Sequence, residues 1–187
     1  TTIADSGAQF SAVVTSLAGS VTSNTATLTV TAAPVAPAIT TQPANRTVTA
    51  GQTAAFSVTA TGTTPMSYQW RKNGASIGGA TASSYTTPAT ASADNGAQYS
   101  VIATNSVGNV TSGVATLTVN TPVTITSQPV SQSVTAGQTA TLSVTATGTA
   151  PISYQWSKNG VSIGGATAST YTTPATVVGD NGARFTA

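Results

Sequence analysis

Residues 53–70, TAAFSVTATGTTPMSYQW, recur as residues 139–156, TATLSVTATGTAPISYQW, and this stretch decides the fold. In the first copy an alternating segment (Phe56, Val58, Ala60) runs through a Gly-Thr turn into a second alternating segment with Met66, Tyr68 and Trp70. The second copy places Ile152, Tyr154 and Trp156 at the same positions. On an extended chain, side chains two residues apart share a face, so each segment reads as a β-strand with one side in a core. Downstream of Trp70 comes Asp94-Asn95-Gly96-Ala97-Gln98-Tyr99-Ser100-Val101, which opens a further alternating strand.

The repeat extends well beyond this stretch. Gly51 and Gly137, Trp70 and Trp156, and Asp94 and Asp180 are each separated by 86 residues. Asp5 and Asp94, Gly19 and Gly108, and Leu28 and Leu117 are each separated by 89. Periods of this size indicate an array of similar units rather than one large domain. The three-residue difference falls between units, in residues 31–40 (TAAPVAPAIT) against 120–126 (NTPVTIT). The expected organisation is the last part of one unit at 1–31, a linker at 32–38, a complete unit at 39–120, and most of a third at 121–187.

These residues resemble an immunoglobulin-like β-sandwich of the intermediate set, as found in tandem arrays of secreted bacterial proteins. The matching features are Trp70 on the strand lettered C, the Asp94-x-Gly96 corner, Tyr99 at the corner-tyrosine position, and the Asn105-Ser106-Val107-Gly108 turn. The resemblance implies an all-β fold of tandem sandwiches and a hydrogen bond from the Tyr99 hydroxyl to backbone a few residues upstream. Phe10 and Phe185 stand at the same position and carry no hydroxyl. In the family pattern two cysteines cross-link strands B and F, and here those positions hold Val58 and Val101. Losing such a bridge costs about 2–5 kcal/mol, whereas burying each valine contributes about 1.5–3 kcal/mol. The two effects are comparable, so the absent disulfide does not oppose the fold. The expected core is therefore Val58, Trp70, Tyr99 and Val101, with Val144 and Trp156 in the third unit.

In strand order, residues 39–42 read as strand A, interrupted by Pro43, which an edge strand tolerates. Residues 84–87 read as strand E with Tyr85 inward, 98–104 as strand F and 110–119 as an unbroken strand G. Asn73-Gly74 is the dipeptide favoured by two-residue hairpin turns. In residues 1–31, Asp5-Ser6-Gly7 is the corner, 10–14 a strand F and 22–30 a strand G. Residues 121–187 repeat strands A to E and stop inside strand F. Residues 1–12 align with 176–187, so exchange of strands between copies would put two early F strands into one slot. Continuation of the native chain is expected instead.

Charge is the unusual feature. Of 187 residues, 39% are hydrophobic but only 4% are charged, against a typical share of about 25%. Histidine, glutamate and cysteine are absent. The net charge of +2 is spread over Arg46, Arg71, Lys72, Lys158 and Arg184, without the clustering that nucleic acid requires. No apolar run is long enough to insert into a membrane.

The acids are Asp5, Asp94 and Asp180, one at each equivalent corner. One carboxylate per unit supplies neither the acid–base pair of a glycosidase nor the oxygen cage of calcium. They are expected to accept backbone hydrogen bonds at the E–F corner. No catalytic, cofactor or metal site is expected. Trp70 and Trp156, with Tyr68 and Tyr154, could stack on sugars, but their spacing assigns them to the core. Lys72 and Lys158, each before Asn-Gly, could suggest an intramolecular isopeptide bond. That chemistry needs a buried acid beside the lysine, and both lysines read as lying at a hairpin tip. Asn45-Arg46-Thr47 and Asn109-Val110-Thr111 have the pattern of glycosylation acceptors, as chance produces in a threonine-rich chain. Pro43, Pro129 and Pro151 blunt sheet edges that carry few charges.

The function expected is that of an extracellular structural or adhesive array, a stalk, spacer or filament. Its partners would be neighbouring repeats, copies of itself, and surface glycans or proteins. The alternative is an accessory carbohydrate- or partner-binding module of a secreted enzyme, which needs an exposed aromatic platform.

Overall fold

The computed structural model describes residues 2–187. Residues 2–31 open with a 3-10 turn at Ile3–Asp5 and continue as β1 (Gln9–Phe10), β2 (Val13–Ser16), β3 (Gly19–Thr22) and β4 (Ala26–Thr27). β1 pairs with β4 and β2 with β3, both antiparallel. The expected long strands at 10–14 and 22–30 are therefore each interrupted. The cause is Ser23, whose hydroxyl accepts the Ala12 N–H at 2.9 Å while its own N–H goes to the Ala12 carbonyl. Phe10, Val13, Val14 and Leu17 are exposed.

The next strands are β5 (Ala38–Thr41), β6 (Arg46–Thr49), β7 (Ala55–Ser57), β8 (Thr59–Thr61), β9 (Ser67–Lys72), β10 (Ala75–Ser76), β11 (Ser84–Thr86), β12 (Gln98–Thr104), β13 (Asn109–Thr111) and β14 (Ala115–Asn120). One sheet has the order β10-β9-β12-β14-β6, with β13 also on β12. Opposite it lie β5 on β8 and β11 on β7. The chain changes sheets around buried Pro43: β5 pairs antiparallel with β8, and β6 then runs parallel to β14. A proline without an N–H suits the unpaired gap between two ladders.

Strand F matches the expected bounds, and its alternate residues Tyr99, Val101 and Ala103 are buried. Strand G does not run unbroken from 110 to 119. Ser112 interrupts it as Ser23 interrupts the first unit: its hydroxyl accepts the Val101 N–H at 3.0 Å and donates to the Gly113 carbonyl. Strand B is divided at Val58, whose N–H reaches the Ser83 carbonyl.

Between the sheets Phe56, Trp70, Val101 and Leu117 are fully buried, with Val58, Tyr99 and Val119 nearly so. Phe56 stacks on Tyr99 at 4.5 Å between ring centroids, and Trp70 lies 6.3 Å from both Phe56 and Tyr85. Each such aromatic pair adds about 0.5–1.5 kcal/mol beyond its buried area. The indole N–H, a donor that needs a partner once buried, bonds the Ala82 carbonyl at 3.0 Å.

Residues 121–187 repeat the plan as β15 (Thr124–Ser127), β16 (Thr141–Ser143), β17 (Thr145–Thr147), β18 (Ser157–Lys158), β19 (Val161–Ser162), β20 (Thr170–Thr172) and β21 (Phe185–Thr186). Trp156 is fully buried with Leu142 and Val144, and its indole donates to the Ala168 carbonyl at 3.0 Å. Residues 152–156 carry no strand pairing, and β18 pairs with β21 through Ser157 and Lys158. The fold is all-β, built of tandem immunoglobulin-like sandwiches.

Truncating Trp70 to alanine removes the centre of the aromatic cluster and leaves a cavity, at a cost of about 3–5 kcal/mol. For a unit of this size the thermal midpoint should fall by roughly 12 °C or more. Calorimetry on Trp70→Ala checks this, and an unchanged midpoint would contradict the assigned core.

Candidate functional site

Among the polar features that recur between units are the E–F corner and the junction with the preceding unit. At the corner, Ser92–Asp94 forms a single 3-10 turn. One carboxylate oxygen of Asp94 accepts the Ala91 N–H at 2.9 Å, closing the turn on itself. The other oxygen accepts from the Lys72 ammonium at 2.6 Å. The third unit copies both contacts: Asp180 accepts the Val177 N–H at 2.9 Å and the Lys158 ammonium at 2.5 Å. Asp5 makes the equivalent backbone contact, to the Thr2 N–H at 2.6 Å, and forms no ion pair among the described residues.

Lysine reaches the corner because of the turn beside it. Asn73 and Gly74 both adopt positive φ, as a two-residue hairpin turn of this hand requires. Asn73 then ties strand C to strand F, its N–H to the Gln98 carbonyl and its side-chain oxygen to the Gln98 N–H, both at 2.8 Å. Lys72 is the last residue of β9 and pairs across the sheet with Tyr99. It flanks the hairpin turn, as the sequence suggested, and from there its ammonium reaches the Asp94 carboxylate.

Lys72 and Asp94 shift each other's ionisation. The Lys72 hydrogen bond, helped by the Ala91 N–H, holds the Asp94 carboxyl below its ordinary value, and the bond to Asp94 raises Lys72. Asp180 is likewise lowered, by Lys158 and then by the Val177 N–H. The pair is partly open to solvent, with the two side chains 39% and 25% exposed. A pair this accessible contributes about 0–1 kcal/mol. The sequence pointed to the aspartates but missed their lysines. The signal was present, since both members recur at the same spacing in two units.

Tyr99 is buried, and burial pushes its phenol up. Its hydroxyl makes no hydrogen bond to upstream backbone among the described residues, contrary to the expected corner contact. The corner's own N–H groups and carbonyls close the 3-10 turn, and the Lys72 ammonium and the Asp94 carboxylate act on the phenol in opposite directions. At the matching position, Phe185 lies under the Lys158 ammonium, 5.9 Å from the ring centroid.

The remaining candidates have structural neighbours. Val58, Trp70 and Val101 belong to one buried cluster, and Val144 and Trp156 to another. Tyr68 and Tyr154 are half-buried against those clusters. The Asn45 side-chain oxygen accepts the Thr116 N–H at 2.8 Å. No group of three or more His, Cys, Asp or Glu that could hold a metal occurs among the described residues. No helix among the described residues is long and apolar enough to cross a membrane.

Residues 37–119 match the family model of the immunoglobulin I-set domain. Among solved structures, the chain is similar to an I-band fragment from titin, at 20% identity and a TM-score of 0.62, covering 80% of this chain and 58% of the fragment. A structure of three Ig domains of titin, an E-to-A variant, gives 17% identity and a TM-score of 0.65 over 96% of this chain and 68% of that one. Domains 1-4 of Sidekick-1 give 25% identity and a TM-score of 0.54, covering 87% of this chain and 46% of that one. The chain thus spans 58% of the first of these structures and 46% of the last. No curated protein matches the sequence. What is shared is the architecture, immunoglobulin-like domains in tandem.

The ion pair generates a pH-dependent expectation. Asp94 is lowered from 3.8, so its stabilisation is complete above that value and is lost as pH falls through the folded-state pKa. Lys72 is raised from 10.5, so its share is complete below that value and is lost as pH rises through the raised one. Asp94→Asn should therefore lower the thermal midpoint near neutrality, with the gap to the parent closing in strong acid. Melting both proteins across the acid range checks it. An undiminished gap at the lowest pH would show that the charge plays no part.

Proposed function

We propose that this segment serves as a structural or adhesive element of an extracellular array of immunoglobulin-like sandwiches. Its role is to hold whatever lies beyond it at a set distance from a surface, most plainly in a secreted bacterial protein. The observation that carries this reading is the destination of the aromatic side chains. In residues 39–187 they are buried or half-buried, and the largest are spent on one core plan repeated in successive units. Phe10 is the one exposed aromatic residue among the described ones. A module that captures polysaccharide presents rings to solvent, and these units turn theirs inward. The tandem architecture shared with titin and Sidekick-1 domains supports a role in which reach and multivalency matter. The longest strand, the seven residues of β12 at about 3.4 Å each, spans about 24 Å, a lower bound on the length that a complete unit adds. Its partners on this reading are neighbouring repeats and copies of the same array, whose sparsely charged, threonine-rich faces allow close approach.

Passing the chain over columns of soluble and insoluble polysaccharides tests the proposal against the accessory-module alternative. Unretarded elution is expected. Specific retention that disappears on Phe10→Ala would overturn the proposal and establish a sugar platform.

A further inference from the structure

The junctions between units are tied by hydrogen bonds whose positions can be compared residue by residue. On the downstream side, the Val35 N–H donates to the Thr63 hydroxyl at 2.7 Å, and the Thr63 N–H returns a bond to the Val35 carbonyl at 3.0 Å. The Asn105 amide adds bonds to the Val35 and Thr63 carbonyls at 2.7 and 2.9 Å. Thr121 and Thr149 repeat the reciprocal clamp at 2.6 and 2.9 Å. Glycine is required beneath each clamp. A Cβ on Gly62 would sit 3.0 Å from the Ala36 carbonyl oxygen, and one on Gly148 would sit 2.9 Å from the Val123 Cα.

The upstream sides end at matching residues too. Asn120 closes the middle unit, its carbonyl accepting the Ala50 N–H at 2.8 Å, and the Val119 N–H is held by Asn95. In the first unit the corresponding contact is the Val30 N–H to Ser6. The difference lies between the ties. Asn120, the last residue held upstream, is followed directly by Thr121, the first held downstream. In the other junction Thr31, at the position of Asn120, and then Ala32, Ala33 and Pro34 lie between the tie at Val30 and Val35, all exposed and without a hydrogen bond among the described residues. The three residues by which the two linkers differ in length fall between the clamps.

We infer that the chain carries two mechanically different joints: a joint without slack at Asn120–Thr121, and a hinge at residues 32–34. Three free residues add about 10 Å of extended chain. Proline limits the directions available to that spacer without fixing them. Bending of the array concentrates where the three-residue insert occurs, and units joined as at Asn120–Thr121 move as one body. The inference gives the array reading a mechanical form, and it fails separately, because it concerns distances and not binding.

The absence of cysteine allows the joint to be measured directly. Spin labels at Ser84→Cys and Thr170→Cys, equivalent exposed positions in adjacent units, report the repeat-to-repeat distance by pulsed electron resonance. The parent should give one narrow distribution, and inserting Ala-Ala-Pro between Asn120 and Thr121 should widen it at least about twofold. The same three residues inserted between Gly164 and Gly165, in an exposed turn, should leave the width unchanged, with tryptophan fluorescence reporting both cores. A parent distribution as wide as that of the junction variant would overturn the inference. So would equal widening by the two insertions.

Discussion

The buried indole of Trp70 is the constraint on which the rest depends. Its ring lies among Phe56, Tyr85 and Val101, and its N–H is anchored on the Ala82 carbonyl. One side chain thus fixes the spacing of the two sheets and the path of the loop that crosses between them. The same donor and the same carbonyl position recur with Trp156 and Ala168. A disulfide in this fold would join strands B and F. Here Val58 and Val101 sit at those places, both buried in the cluster around the indole. Dry packing takes over the role of a covalent bridge, at comparable free energy.

With so few charges, polar satisfaction falls to hydroxyls and side-chain amides, and these shape the strands. Ser112 and Ser23 break strand G by replacing a ladder bond with a side-chain bond. Thr87 and Thr173 accept the N–H groups of Ala54 and Ala140. Thr63 and Thr149 hold the incoming chain at each junction. The two ion pairs are placed where a strand end, a turn and a corner meet, so a charge is present where three backbone segments need a common anchor. The result is a threonine-rich surface that carries few charges.

The strands, the core tryptophans and the repeat were legible because alternation and self-similarity are direct consequences of pleat geometry and of stacking like units. Bounds were least legible where a side chain competes with the backbone. Nothing in the alternation of residues 110–119 marks Ser112 as a ladder breaker, although its counterpart Ser23 recurs in the first unit. The lysine partners of the corner acids escaped notice because 22 residues separate Lys72 from Asp94 and only the sheet register brings them together. The Tyr99 hydroxyl contact was carried over from a resemblance, and a corner that closes on its own carboxylate has no use for it. The split between a slack and a taut junction was visible as a three-residue length difference, but its place between the clamps needed the hydrogen bonds.

On this reading residues 39–120 unfold as one cooperative sandwich around their buried aromatic core. Stretching the chain from end to end in a single-molecule force experiment tests this most directly. Residues 39–120 should yield in one abrupt event, releasing about 250 Å, the extended length at about 3.3–3.6 Å per residue less the folded span. A smooth extension with no discrete release, or a release broken into several smaller steps, would contradict it.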